Sequence, residues 1–175
     1  MTLFGFGLRW MVTFLGFPLG GAAAYALVRS VDTPLRGLLG GLIAGAILGL
    51  AQWLVLRLRL PVSVWWIAVT AAGLAAGLAL AVQSVGVALD VPSIALRALI
   101  AGLCVGVAQW LVLRQHVDAA AWWVAIVAIS WMVGWLVTWA ARVDLSFGWA
   151  VFGATGALSF ALLTALAWAL LLPKP

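Results

Sequence analysis

Residues 45–57 read GAILGLAQWLVLR, and residues 102–114 read GLCVGVAQWLVLR. The match lays Gln52 on Gln109, Trp53 on Trp110 and Arg57 on Arg114, at an offset of 57 residues. The same offset carries Trp65-Trp66 onto Trp122-Trp123 and Gly77 onto Gly134. A fixed internal period means that one structural unit, repeated, accounts for the chain. Here that unit is a pair of apolar segments.

Composition says where such a unit can live. Of 175 residues, 67% are hydrophobic and only 7% charged. Soluble domains have about a quarter of their residues charged, so this chain cannot cover a water-facing surface. The formal charge of +5 is spread over scattered arginines and one lysine, with no basic patch for nucleic acid. Long arginine side chains at segment ends suit headgroup anchoring instead. The N-terminus has no basic stretch and no cleavage signal, and reads as a retained helix.

A helix needs about 20 apolar residues to cross a bilayer. Six segments qualify, approximately 10–28, 37–56, 64–86, 94–113, 121–141 and 147–172. They are continuous apolar runs, not the alternating pattern of a membrane barrel. The fold class expected is therefore an all-α membrane protein, a single transmembrane domain of residues 1–175. Its six helices form three parallel hairpin repeats, approximately 9–58, 64–115 and 121–172. Two helices per unit give successive copies the same orientation, about an axis along the membrane normal. The third copy is degenerate, with Leu166 and Ala167 where the others have Gln and Trp. Loop charges, five on the side of the termini against four on the other, place both termini in the cytoplasm of a bacterial cytoplasmic membrane.

The turns Asp32-Thr33-Pro34, Asp90-Val91-Pro92 and Asp144-Leu145-Ser146 each precede an apolar run. Asp32, Asp90 and Asp144 are read as helix caps, since a carboxylate accepts from free N–H groups at a helix start and proline suits the first turn. An ion-binding ring of the three is the alternative. Small residues recur every fourth position, as in Gly37, Gly41, Gly45 and Gly49, and in Gly153, Ala157, Ala161 and Ala165. Such faces allow close helix approach in lipid, or line a narrow cavity.

Gln52 and Gln109 sit inside apolar segments, where an amide needs partners. They bond to neighbouring helices, to each other or to the repeat's indoles, or they form a polar binding site with Arg57 and Arg114, whose guanidinium groups suit phosphate. Of the 12 Trp, most are assigned to an interfacial belt. Trp131, Trp135 and Trp139 form a four-residue ladder toward Trp149, a face for packing, lipid, a flat ligand or a protein partner. Catalytic chemistry is missing. His116 and Cys104 make no zinc set, no phosphate loop occurs, and neither a metal nor a cofactor is expected.

The AQWLVLR phrase with its paired tryptophans resembles small integral membrane proteins of many bacteria, generally of unassigned function, over roughly residues 40–137. In size and helix number the chain also resembles, loosely, the substrate-binding subunits of energy-coupling vitamin transporters. Two functions are expected. One is a structural or accessory membrane protein that packs against a partner or a second copy. The other is a lipid- or small-molecule-binding transport protein with its site near Gln52 and Gln109. The partners implied are the bilayer, a membrane protein or second copy, and a bound lipid, with no nucleic acid.

Overall fold

Uninterrupted leucine, alanine and valine runs leave the backbone only its own carbonyls to bond, and the chain folds almost wholly as helix. The computed structural model describes residues 2–145 and 155–172. Its helices are α1 (Leu3–Met11), α2 (Gly16–Val28), α3 (Pro34–Leu56), α4 (Trp65–Val85), α5 (Val91–Leu113), α6 (Trp122–Ala140) and α7 (Thr155–Leu171). A 3-10 turn over Val12–Leu15 joins α1 to α2 into one span. Pro18 explains that turn, because it lacks the N–H that would bond Phe14 and its ring crowds the same carbonyl.

Five spans are long and apolar enough to cross a membrane: Leu3–Val28, α3, α4, α5 and α6. The sixth expected segment is described only from Thr155, as a shorter apolar helix of 17 residues. Its expected start, together with Ser146, Trp149 and Gly153, lies outside the described residues, as does Lys174. Outward-facing side chains such as Leu27, Leu35, Trp65, Trp122 and Leu170 are strongly exposed and apolar. Such a surface suits hydrocarbon and not water.

Each helix packs on the next from α2 through α7, and α1 packs on α7, so the chain closes into a ring. Glycines set the seams. A Cβ added at Gly41 would stand 2.5 Å from the Ala75 Cα, and one at Gly45 2.7 Å from the Ala71 Cα. Gly77 presses on Ala101, Gly102 on Ala128 and Gly106 on Val124 in the same way. The four-residue glycine faces of α3 and α5 are therefore backbone contacts between helices. Gly16 and Gly21, on α2, border a cavity.

The turns at one end of the ring show how local chemistry picks a cap. Helix α5 is capped as expected: the Asp90 carboxylate accepts from the Ser93 N–H at 3.0 Å. Helix α3 is not capped by Asp32. Thr33 takes that place, its hydroxyl accepting from the Arg36 N–H at 3.3 Å. The reason is the residue after each Asp. Thr33 carries an acceptor of its own, which frees Asp32 to pair with Arg36 at 2.6 Å and to accept from Ser30 at 3.0 Å. Val91 has no acceptor, so Asp90 must cap. The stretch that Asp144 was expected to cap lies outside the described residues.

Candidate functional site

Gln52 of α3 and Gln109 of α5 meet inside the ring, 1% and 0% exposed. Gln109 Nε2 donates to Gln52 Oε1 at 2.8 Å and to Thr70 Oγ1 at 3.0 Å. The Trp123 indole donates to Gln109 Oε1 at 2.9 Å, and the Trp66 indole to Gln52 Oε1 at 3.3 Å. An indole can only donate, so Trp123 fixes which way the Gln109 amide points. The Thr70 hydroxyl passes its own proton to the Trp66 carbonyl at 2.7 Å. Four helices, α3, α4, α5 and α6, are clasped by this network. Neither amide lines the cavity described below.

The same contact recurs where α1 meets α7. There the Trp10 indole donates to Thr164 Oγ1 at 2.8 Å. Thr164 follows Ala157 by seven residues and Ala161 by three, the spacing by which Gln52 follows Gly45 and Gly49, and Gln109 follows Gly102 and Gly106. Thr164 thus stands to the small-residue face of α7 as each glutamine stands to the glycine face of its own helix. Around it Trp10, Trp123, Trp168 and Phe6 pack ring on ring, with Trp123 and Trp168 centroids 4.3 Å apart. Trp10, Trp66, Trp123 and Trp168 are fully buried, so of the eight tryptophans read as an interfacial belt these four are core, and Trp53, Trp65, Trp110 and Trp122 are not. In each doublet the first Trp, Trp65 or Trp122, faces out and the second faces in, as a turn of about 100° per residue requires.

Arg57 and Arg114 do not join the glutamines. Both are exposed, and each guanidinium lies over the Trp one turn earlier, 4.8 Å from the Trp53 ring and 5.2 Å from the Trp110 ring. The four-residue polar site expected from the sequence therefore divides into a sealed clasp and two surface arginine–tryptophan pairs.

The open space lies at the other end of the ring. A cavity of about 260 Å³ runs from mid-bundle to the Asp32 turn. Its walls include Phe17 and Gly21 of α2, Ala44 and Leu48 of α3, Leu74, Leu78 and Val82 of α4, Ala98 and Ala101 of α5, and Trp131 and Trp135 of α6. At its floor Phe17 meets Trp131 edge-on at 5.4 Å, and Phe160 packs on both. At its mouth stand Ser30, Asp32, Val87 and Leu89, with Val87 and Leu89 about half exposed.

Arg97 is the cavity's cation. It was expected to anchor in headgroups, yet it stands within α5, half-buried, on the cavity wall. Its Nη2 donates to the Ala88 carbonyl at 2.8 Å, and its Nε is buried with no acceptor among the described residues. The sequence carries a signal for it: at the offset of 57 the matching position is Gly40. A residue that breaks a repeat with a charge in an apolar helix is a candidate for function.

The tryptophan ladder also turns inward. Trp131 is 4% exposed and Trp135 lines the cavity, which leaves only Trp139, 46% exposed, on the outside. Trp131 therefore cannot serve as a partner-facing surface. Among the described residues no three His, Cys, Asp or Glu side chains gather as metal ligands, the Asp turns included. Comparison with protein-family models, with curated proteins and with solved structures finds no match to this chain.

Proposed function

We propose that this chain is a multi-pass membrane protein that binds a small apolar or amphiphilic molecule in the cavity between its helices. The observation that carries this reading is the cavity itself, apolar along its length and bordered by one half-buried arginine. Apolar pockets with a few placed polar groups are the usual form of a small-molecule site. A cavity of about 150 Å³ already holds benzene, and this one is larger. The buried aromatic floor and the sealed clasp beneath it favour a receptor with one mouth over an open channel.

In this reading the ring is three hairpin units, each contributing one indole and one polar acceptor (Trp10 and Gln52, Trp66 and Gln109, Trp123 and Thr164), with each indole bonded to the acceptor of another unit. The clasp holds the end near the termini closed, and the opposite end is free to take ligand. With both termini cytoplasmic, as the loop charges favour, the mouth faces away from the cytoplasm. An accessory role in a larger assembly would have to use outward residues such as Trp139, Trp65 and Trp122.

The test is native mass spectrometry of the protein extracted gently from its membrane. A defined extra mass of small-molecule size supports the reading if it is lost in Val82→Phe and in Ala98→Leu, two variants that fill the cavity from different helices. The same mass retained in both folded variants, or a protein that carries none, overturns it.

A further inference from the structure

We infer that the cavity's ligand is an amphiphile with one short apolar tail and an anionic oxygen head, a carboxylate or phosphate, and that Arg97 holds that head. This rests on the cavity being a binding site. The tail follows from the walls: below Arg97 the lining is aliphatic and aromatic down to Phe17 and Trp131. A volume of about 260 Å³ limits the tail to a single short chain or one ring system.

The head follows from what Arg97 lacks. Nη2 donates to the Ala88 carbonyl, on the guanidinium edge that it shares with Nε. The Nε–H is buried without an acceptor among the described residues, and a buried donor left so is costly. A ligand oxygen satisfies it only by displacing what covers it, whereas Nη1 is neither buried nor bonded among the described residues, and with Nη2 it offers a carboxylate or phosphate two N–H groups at once. Of the acids nearby, Asp32 and Asp90, the second acts on Arg97 only through space, and neither makes an ion pair with it among the described residues. Asp32 is tied to Arg36 and Ser30, and Asp90 caps α5 through Ser93. Arg97 thus presents a positive charge without an ion-pair partner within salt-bridge distance among the described residues. A cationic head would be repelled, and a neutral hydroxyl would leave the charge unmatched.

The experiment is equilibrium dialysis of radiolabelled decanoate against phosphatidylcholine nanodiscs with and without the intact protein, at a pH where the carboxylate is ionised. Unlabelled decyl phosphate, decanol and decyltrimethylammonium serve as competitors. Saturable decanoate binding in excess of the empty discs is expected. Decanol and decyltrimethylammonium should compete about ten- to hundredfold more weakly, the range of a charge-assisted hydrogen bond. Arg97→Gln should weaken decanoate by a similar factor and leave decanol unchanged, with Arg97→Lys in between. The ratio of decanoate to decyl phosphate tells a fatty-acid source from a phosphate ester. Decanol competing as well as decanoate overturns the anionic head while the cavity reading stands, and this arm needs no variant. No saturable binding of any of the four amphiphiles overturns the cavity reading and the inference with it.

Discussion

Gln109 supplies both donors and one acceptor to bonds with Gln52, Thr70 and Trp123. Replacing it by Leu orphans the Trp123 indole and the second contact of Thr70. Side-chain hydrogen bonds in membranes average about 0.6 kcal/mol, with a maximum near 1.7, so Gln109→Leu should cost about 1–2 kcal/mol, read as a lowered unfolding midpoint in detergent. Because the cavity lies at the other end, ligand retention should be unchanged. Lost retention in a folded Gln109→Leu protein would return the site to the glutamines.

The turn carboxylates give a pH dependence whose sign is fixed. The Ser30 hydrogen bond, aided by Arg36, holds the Asp32 carboxyl below its ordinary value of 3.8. The Ser93 backbone and side chain do the same for Asp90. A folded pKa below the unfolded one means the charged form favours folding. The contribution is complete above the unfolded value and is lost as pH falls through the lower folded value. Thermal stability should therefore be flat near neutrality and fall below about pH 4. An Asp90→Asn variant should show a smaller fall than the parent.

At the scale of elements, glycine faces decide how near the helices come. Gly41 lies in the α3–α4 seam with the Ala75 backbone where its Cβ would be. Backbone cannot swing aside as a side chain can, so Gly41→Ala must separate the two helices. Overpacking of this kind costs about 1–3 kcal/mol, again read from the unfolding midpoint. Leu38, on the outward side of the same helix, is exposed, and Leu38→Ala should cost less. Equal losses would show that the seam yields more easily than its contacts imply.

The caps show why a shared tripeptide need not act alike. Asp-x-Pro starts both α3 and α5, but a threonine or a valine in the middle moves the cap by one residue. These two starts were readable to within a turn, because proline and an oxygen-bearing neighbour mark them, whereas the first span, expected from residue 10, begins at Leu3. Which oxygen does the capping is a competition between neighbours that spacing alone does not settle.

For the whole molecule, the ring orders all of its helices about one interior with unlike ends: a hydrogen-bonded aromatic end and an apolar, arginine-bordered one. If the termini face the cytoplasm, a cysteine placed at Ser30 in a Cys104→Ala background should react with an impermeant maleimide added to intact cells. One placed at His116 should react only after the membrane is opened. The reverse labelling would turn the mouth toward the cytoplasm.

Sequence by itself determined the helical class, the approximate ends of the inner spans and the likeness of Gln52 to Gln109. Those follow from apolar run length and from a period of 57 residues, which are properties of the chain read in one dimension. Tertiary structure alone decided which faces turn inward. Helices that are apolar all round carry no polar stripe to mark the outside, so nothing in the spacing of Trp131, Trp135 and Trp139 told a core ladder from a partner surface. The same limit hid Thr164, the acceptor of the Trp10 indole, and Arg97, a charge near a helix end until α5 closes against its neighbours. Inside and outside of such a ring are set by contacts between distant segments, and those contacts leave the cavity where they leave it.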